Sequence, residues 1–188
     1  MALSADKALL RRLFRSRLQL LRPWESEHLR SRLRENMDLF LSQVSGPIGA
    51  YIPLGEEADP GLFPVPKGLK VAFPRIVGEG LEFCLPQKIE DGPYGLRQPA
   101  SFCDRVPLKS MGVILVPGVA YDLKGGRLGR GRGYYDRFLR GYHGRKVGVA
   151  FHCQLSLRPL PVENWDIKMN DLVTEQGIFS FTGENRWN

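Results

Sequence analysis

Gly112-Val-Ile-Leu-Val-Pro-Gly-Val-Ala-Tyr-Asp-Leu-Lys-Gly-Gly-Arg-Leu-Gly-Arg-Gly-Arg-Gly-Tyr-Tyr-Asp136 is the most informative stretch of the chain. Its first residues form a short apolar run, which predicts a buried strand that ends at Pro117. A glycine-rich loop follows, and a helix is predicted to start at Tyr134. Ligands of open α/β sheets bind beyond the carboxyl ends of strands. The order of strand, loop and helix therefore predicts a binding site here.

The composition of the loop predicts that the ligand carries phosphate groups. Glycines let backbone amides approach phosphate oxygens closely, and the start of a helix adds partial positive charge. Arg127, Arg130 and Arg132 alternate with these glycines, and guanidinium groups match phosphate oxygens in pairs. Asp136 follows the loop, where a carboxylate can hold Mg²⁺ beside phosphates. The spacing matches neither a P-loop nor a dinucleotide fingerprint, and a flexible surface loop or an RNA-binding segment are the alternatives.

Positive charge is concentrated in two parts of the chain. Among 188 residues, 27 are Lys or Arg and 20 are Asp or Glu, which gives a formal net charge of +7. Residues 1–36 hold nine basic and four acidic residues, and residues 121–146 hold eight basic and two acidic residues. The rest of the chain is therefore net negative. We expect an anionic partner to bind where the two basic segments meet.

The first basic segment is predicted to be helical. Leucines and a phenylalanine recur at helical spacing over residues 5–21. Lys7, Arg11 and Arg15 are spaced by four residues and share one face of this helix. Like charges at that spacing repel by roughly 0.2–0.5 kcal/mol per pair, and a bound polyphosphate would remove this cost. The alternative is a basic face exposed to water.

Further elements define the fold class. A second helix is predicted over residues 25–41, and residues 86–110 are predicted to be mostly loop. Short strands are predicted at 48–52, 69–73 (closed by Pro74), 81–85, 112–116, 146–151, 172–174 and 178–181. Such alternation predicts a single three-layer α/β domain over residues 1–188, with a mixed, mainly parallel central sheet flanked by helices.

Several function classes are disfavoured by composition. No apolar run approaches the ~18 residues of a membrane helix, and no secretory signal is recognisable. Cys84, Cys103 and Cys153 match no metal-binding spacing, so we expect free thiols in a reducing compartment. We predict a cytoplasmic monomer without membrane or nucleic-acid partners. The Arg-rich N-terminal segment also fits a mitochondrial transit peptide, which is the alternative location.

Arg127-Leu-Gly-Arg-Gly-Arg-Gly-Tyr-Tyr-Asp136, preceded by Val116-Pro-Gly-Val-Ala-Tyr-Asp122, resembles the signature of the 5-formyltetrahydrofolate cyclo-ligase family. The resemblance extends over nearly the whole chain. Weaker matches occur in the same order as in the family, at Lys7 and Arg11, Tyr51-Ile-Pro-Leu-Gly-Glu-Glu57, Phe73-Pro-Arg75, Phe151-His-Cys-Gln154 and Pro161 to Asp166.

The resemblance implies an enzyme that converts 5-formyltetrahydrofolate, ATP and Mg²⁺ to 5,10-methenyltetrahydrofolate, ADP and phosphate. In this family ATP phosphorylates the formyl oxygen, and the neighbouring folate nitrogen then attacks the activated carbon. Such chemistry depends mainly on positioning and charge stabilisation, so a protein nucleophile is not required.

The resemblance also implies roles for individual residues. Lys7 and Arg11 are expected to contact ATP phosphates, and Arg130 and Arg132 to be catalytic. Asp136 and Asp166 are expected to bind Mg²⁺. The nucleotide is expected to contact Arg127, Leu128, Gly129, Arg130, Gly131, Arg132, Gly133, Tyr134 and Tyr135. The folate is expected to contact Ile52, Glu57, Arg130, Gly131, Arg132, Gly133 and Tyr134.

Each assignment has a structural alternative. Glu57 fits an exposed loop charge, Asp166 a turn cap, and Tyr134 and Tyr135 core aromatic residues. Asp122 is interpreted as a turn residue rather than a metal ligand. Three positions depart from the family pattern, namely Pro60, Gln98 and Asn170. A nucleic-acid-binding module and a related phosphate-binding protein without cyclo-ligase activity are the competing functions.

Overall fold

The structure is a computed structural model and describes residues 2–21 and 23–181. Two long helices come before the first strand, and a short third helix follows the glycine-rich loop. Their bounds are α1 Ala2–Gln19, α2 Pro23–Leu41 and α3 Tyr134–Phe138. Within the described ranges, no helix combines the length and the apolar character needed to span a membrane.

Thirteen strands are present in the described ranges, and most are short. They are β1 Ile48–Gly49, β2 Val71–Val77, β3 Gly80–Leu85, β4 Ile89–Asp91, β5 Arg97–Pro99, β6 Asp104–Arg105, β7 Val113–Val116, β8 Ala120–Asp122, β9 Arg127–Leu128, β10 Arg145–Val149, β11 Leu155–Ser156, β12 Asp171–Thr174 and β13 Gly177–Ser180.

Eight of these strands form the central sheet, in the order β13-β12-β10-β7-β1-β2-β3-β6. The five strands from β12 to β2 are parallel to their neighbours. Strand β13 pairs antiparallel at one edge, and β3 and β6 pair antiparallel at the other. The predicted mixed, mainly parallel sheet of an α/β fold is therefore confirmed.

Strand β7 lies at the centre of the sheet and is fully buried on both faces. Val113 and Leu115 pack with α2, whose Leu33, Met37 and Phe40 recur at helical spacing. The alternate residues of β7 belong to a second apolar cluster on the opposite face, which includes residues of α3 and of the loops. Because successive strand residues point to opposite faces, one short apolar run supports layers on both sides. The organisation of residues 1–188 as one domain stays a prediction.

Helix α1 packs beside a second, small sheet through Phe14, whereas its Leu18 packs against the core of the central sheet. The small sheet has the order β11-β8-β9, and Phe14 of α1 is buried against Val119, Ala120, Leu128 and Leu160. The apolar stripe observed on α1 is narrower than the one predicted from the sequence, because Leu9 and Leu13 are exposed. The packing places the basic face of α1 beside the glycine-rich loop.

Two details of the predicted strands are wrong, and the region predicted to be mostly loop also contains short strands. Strand β2 continues through Pro74 to Val77. After Ala72 it pairs with β3 on one side, and no described strand pairs with its other edge. Proline is tolerated on such an open edge. Residues 86–110 contain the β4–β5 hairpin as well as loops. The strand predicted at 48–52 spans only two residues, Ile48–Gly49. Tyr51 and Ile52 line a cavity instead.

The cysteines also differ from expectation. Cys84 and Cys103 form a disulfide with 5.6 Å between their Cα atoms, so the prediction of free thiols is wrong for this pair. Antiparallel pairing of β3 with β6 brings the two segments together, although they lie far apart in sequence. Cys153 is a free thiol, and burial raises its pKa to about 11. This thiol is therefore protonated and a weak nucleophile near neutral pH.

Gly112 precedes β7 at a point where the chain has no room for a side chain. A Cβ atom there would collide with the backbone oxygen of Ser45. We expect Gly112→Ala to lower the free energy of unfolding by about 1–3 kcal/mol. For a chain of this length that corresponds to a fall in Tm of about 2–4 °C per kcal/mol, measurable by thermal unfolding.

A matched control for this substitution is Gly80→Ala in β3. There the nearest atom to the added Cβ is the oxygen of Val77 at 3.6 Å, which is an ordinary contact. We expect this variant to unfold within a degree or two of the original chain. Equal melting temperatures for the two variants would show that the approach of residues 45 and 112 is not tight.

Candidate active site

A cavity of about 540 Å³ lies beyond the carboxyl ends of β1 and β7. Residues that follow each strand line it, for example Ile52 after β1 and Pro117 after β7. Helix α1, the glycine-rich loop and the β2–β3 hairpin form other parts of its wall. This position agrees with the location of ligand sites in open α/β sheets.

All the residues that the sequence analysis predicted as site residues line this cavity. They are Lys7, Arg11, Ile52, Glu57, Arg127, Leu128, Gly129, Arg130, Gly131, Arg132, Gly133, Tyr134, Tyr135, Asp136 and Asp166. They come from four separate parts of the chain, which the fold brings together. Their placement in one cavity is an observation, whereas the role of each residue stays a prediction.

The turn between β8 and β9 fixes where the glycine-rich loop begins. The Asp122 carboxylate accepts hydrogen bonds from the amides of Lys124 and Gly126, each at 2.8 Å, and from the amide of Leu160 at 2.7 Å. Asp122 is 2% exposed and is not among the residues that line the cavity. Its interpretation as a turn residue is therefore confirmed.

Residues 129–133 cross the cavity wall with two glycines in the left-handed region. Gly131 has φ +101° and Gly133 has φ +67°, conformations that other residues adopt only with strain. Gly133 immediately precedes α3, which has only five residues. Because the helix dipole sums over aligned peptide units, the predicted contribution of this helix start to phosphate binding is small. The prediction of phosphate binding therefore depends on the side chains and the backbone amides of the loop.

Helix α1 supplies three cations to the cavity, Lys7, Arg11 and Arg15. Lys7 Nζ donates to Glu163 Oε2 at 2.7 Å and to Asp166 Oδ2 at 2.8 Å. Arg11 Nε donates to the backbone oxygen of Gly129 at 2.8 Å, which ties α1 to the loop. Lys7 is 9% exposed, so the alternative of a water-exposed basic face is wrong for this residue. Burial lowers the pKa of Lys7, but the hydrogen bonds to both carboxylates outweigh it, and the net shift is upward.

Arg127 forms a second cation–carboxylate pair. Its Nη2 atom donates to both oxygens of Asp136, at 2.8 and 2.9 Å. Asp136 Oδ1 also accepts from the amide of Ile167 at 3.2 Å, so Asp136 lies next to the segment that carries Asp166. The side chain of Arg127 is 5% exposed, and its buried Nε has no hydrogen-bond partner among the described residues.

Arg130 forms a third pair, with Glu57. Arg130 Nε donates to Glu57 Oε1 at 2.6 Å, and its Nη2 donates to the backbone oxygen of Leu54 at 2.6 Å. The other oxygen of Glu57 accepts from the amide of Leu54 at 2.9 Å. The side chain of Glu57 is only 12% exposed, so it is held in place and is not an exposed loop charge.

Aromatic residues join the loop to the far wall of the cavity. The guanidinium of Arg132 lies 3.4 Å from the ring centroid of Tyr94, and interaction with Tyr94 raises the pKa of Tyr134. Tyr94 has φ +63°, unusual for a residue with a side chain, and it lies within this wall. Tyr135 packs edge-on against Phe83, and burial raises the pKa of its hydroxyl. Both Tyr134 and Tyr135 line the cavity, and Tyr135 also contributes to the core.

The polar part of the cavity lining is dominated by charged pairs. In the part of the chain that the structure describes, the residues lining the cavity include no Ser, Thr, Cys or His. They do include cations from α1 and from the loop, and four carboxylates that pair with them. Such a lining suits a ligand with several phosphates, which can take the place of the carboxylates.

Comparison with known proteins gives the family. The model of the 5-formyltetrahydrofolate cyclo-ligase family matches residues 7–175, which is most of the chain. The chain belongs to this family. A curated cyclo-ligase from Mycolicibacterium smegmatis is 31% identical over 158 residues, covering 72% of this chain and 78% of the relative.

Two further cyclo-ligase relatives show how far the similarity extends. The Escherichia coli K12 protein is 42% identical over 81 residues, which is 42% of this chain and only 44% of that relative. The alignments with the first curated relatives thus span about half their length. The NMR structure of 5,10-methenyltetrahydrofolate synthetase from Aquifex aeolicus has a TM-score of 0.78 at 34% identity, covering 97% of this chain and 96% of that one.

About half of the residues that line the cavity of this cyclo-ligase family member were not predicted from the sequence. The missed residues are Arg15, Tyr51, Leu54, Pro74, Ile76, Leu81, Tyr94, Leu96, Arg97, Gln98, Pro117, Glu163 and Trp165. Arg15 shares one face of α1 with Lys7. Its spacing placed it on the predicted basic face, but it was not predicted to be a site residue. Most of the others lie on strands and loops whose pairing the sequence does not reveal.

Proposed function

We propose that this chain converts 5-formyltetrahydrofolate to 5,10-methenyltetrahydrofolate, with ATP hydrolysed to ADP and phosphate. The observation that carries the proposal is the single cavity in which α1, the glycine-rich loop and Glu57 meet. Family membership adds the reaction, because the relatives are named as cyclo-ligases or methenyltetrahydrofolate synthetases.

The proposed reaction has two steps. First, the formyl oxygen of the folate attacks the γ-phosphorus of ATP, a P–O bond forms, and ADP leaves. Second, the neighbouring folate nitrogen attacks the activated formyl carbon, loses its proton, and phosphate departs as the C–O bond breaks. Since both nucleophiles belong to the substrates, the protein has to align them and stabilise negative charge.

The cations of the cavity are proposed to hold the phosphates. Lys7, Arg11 and the arginines of the loop supply fixed positive charge, and Arg130 and Arg132 are proposed to stabilise the transferring phosphoryl group. Lys7 pairs with Glu163 and Asp166, and Arg130 pairs with Glu57. A phosphate that binds Lys7 and Arg130 would therefore replace their carboxylate partners. Those carboxylates hold the two cations in position for the phosphate.

Glu57 is proposed to bind the pterin ring. A carboxylate accepts hydrogen bonds only, and so suits a ring that presents N–H donors. Its link to Arg130 joins the proposed folate and phosphate sites directly. A folate ring that engages Glu57 would release Arg130 towards the phosphates, so we expect each ligand to favour binding of the other.

Two carboxylates fit the proposed Mg²⁺ ion. The described residues contain no group of three or more His, Cys, Asp or Glu side chains that could hold a metal alone. Magnesium in phosphoryl-transfer sites needs only one or two carboxylates, because substrate phosphates and waters complete its shell. Asp136 and Asp166 lie on adjacent segments, and Asp166 Oδ1 has no hydrogen-bond partner among the described residues. Bound there with ATP, Mg²⁺ would neutralise charge on the phosphates.

The proposed function is tested by mixing purified protein with 5-formyltetrahydrofolate, ATP and Mg²⁺ and following the absorbance of the methenyl product. We expect the absorbance to grow only when all three are present. A folded protein that produces no methenyl absorbance would overturn the proposal. If it still bound both ligands, the related protein without cyclo-ligase activity would be the better description.

We further propose a cytoplasmic monomer that uses neither nucleic acid nor membranes as partners. The internal pairing of Lys7, Arg127 and Arg130 with carboxylates supports the absence of a nucleic-acid partner, because acidic groups beside a cationic groove repel a nucleic-acid backbone. Size-exclusion chromatography with light scattering tests the monomer. Tight RNA binding that ATP does not compete away would favour the nucleic-acid-binding alternative instead.

A further inference from the structure

Trp165 presents a large aromatic side chain at the wall of the cavity. It lines the cavity and is 58% exposed. Tyr94 is the other exposed aromatic residue of the described lining, but the guanidinium of Arg132 covers its ring at 3.4 Å. Among the described residues, no aromatic ring or cationic side chain stacks on the indole of Trp165. A flat ligand that covered this apolar surface would gain binding free energy.

Hydrogen bonds fix the turn that carries Trp165. The amide of Glu163 donates to Asp166 Oδ2 at 2.8 Å, and the amide of Asp166 donates to the backbone oxygen of Glu163 at 3.0 Å. The carboxylates of both residues also accept from Lys7 Nζ, which ties the turn to α1. The backbone at Trp165 is therefore held in place before a ligand binds, so little ordering free energy is lost on binding.

The neighbours of Trp165 indicate which flat ligand its ring meets. The turn is bonded to Lys7, a proposed phosphate-binding residue, and Asp166 is a proposed Mg²⁺ ligand. Glu57, the proposed partner of the pterin, is instead bonded to Arg130 on a different segment. The ring that is covalently joined to the phosphates is the base of the nucleotide. Trp165 is thus beside the part of the cavity where that base would lie, and not beside the proposed pterin site.

We propose that Trp165 stacks on the adenine base of ATP and makes the site favour a nucleotide over a bare polyphosphate. This inference rests on the proposed function. Every base has a π-face, so stacking on an aromatic side chain depends on the presence of a base and little on the groups at its edge. The cations recognise the phosphates, and Trp165 adds affinity for the other end of the same molecule.

The test compares the affinities for a non-hydrolysable ATP analogue and for inorganic tripolyphosphate, each measured by calorimetry with Mg²⁺. Trp165→Leu keeps an apolar side chain but removes the aromatic ring. We expect this variant to bind the ATP analogue about tenfold more weakly and tripolyphosphate within about twofold of the original chain. Trp165→Phe keeps a ring that can stack, so we expect it to recover part of the lost affinity. Binding of 5-formyltetrahydrofolate is measured in the same variants and is expected to stay within about twofold.

A matched control is Phe102→Leu, which removes an aromatic ring that is 62% exposed and lies outside the cavity lining. We expect this control to bind all three ligands as the original chain does. Unchanged affinity of Trp165→Leu for the ATP analogue would overturn the proposal. An equal loss for tripolyphosphate would also overturn it, because Trp165 would then act through the turn and Lys7, and so would a loss confined to the folate. An original chain that binds no ATP analogue would instead overturn the proposed function.

Discussion

Asp136→Asn is expected to abolish turnover while the chain stays folded. The substitution removes a negative charge that is bonded to Arg127 through both oxygens and that is proposed to hold Mg²⁺. Loss of one fixed electrostatic group in a phosphoryl-transfer site lowers kcat by about 10²–10³-fold. The measurement is the rate of methenyl absorbance growth at saturating ATP and folate, together with circular dichroism and the melting temperature.

A matched control for this variant is Asp38→Asn, which makes the same change on the exposed face of α2. We expect it to keep full activity. Asp136→Asn should also lose about 1–3 kcal/mol of stability, because Arg127 is 5% exposed and keeps its charge without a carboxylate partner. Unchanged turnover in a folded Asp136→Asn variant would contradict the proposed role of this residue in catalysis.

The second large effect is expected for Lys7→Met, which should raise the Kd of ATP by about 10–100-fold. A charge-assisted hydrogen bond to phosphate contributes roughly 1.5–3 kcal/mol, and a tenfold change in Kd corresponds to about 1.4 kcal/mol. Methionine keeps most of the length and the apolar stem of lysine. Calorimetric titration with a non-hydrolysable ATP analogue in the presence of Mg²⁺ measures the change.

Two further variants make the Lys7 prediction specific. Lys7→Arg keeps the charge, so we expect its Kd to lie between those of the original chain and Lys7→Met. Lys109→Met removes a lysine that is exposed and lies outside the cavity lining, and we expect no change. If all three variants bound the ATP analogue as tightly as the original chain, Lys7 would serve only to pair with Glu163 and Asp166.

Those features of the fold that depend on local patterns could be predicted from the sequence. The apolar run of β7 indicated a buried strand, because only a strand buried on both faces lacks polar alternation. The glycine-rich loop indicated a ligand site, because strand ends in such sheets gather functional groups. Spacing by four residues placed Lys7 and Arg11 on one helix face, and the structure brings that face to the loop.

Features that depend on contacts between distant residues could not be predicted. The partners of Lys7 lie 156 and 159 residues away, and no local pattern pairs an ammonium group with those two carboxylates. Strands β8, β9 and β11 have two or three residues each, too few to show any periodicity. The contacts of Gln98 with Ile76 and Gly92 follow from the packing of β5 beside β2, which no local pattern indicates.

The central claim is that the loop at residues 127–135, together with α1, binds the triphosphate of a nucleotide. Calorimetric titration of a non-hydrolysable ATP analogue with Mg²⁺ into Arg11→Met and into Arg158→Met tests it directly. Arg11 contacts the loop, whereas Arg158 is exposed and outside the cavity lining. We predict about tenfold or greater weakening for Arg11→Met and none for Arg158→Met. Equal affinity in the two variants, both folded, would contradict the claim.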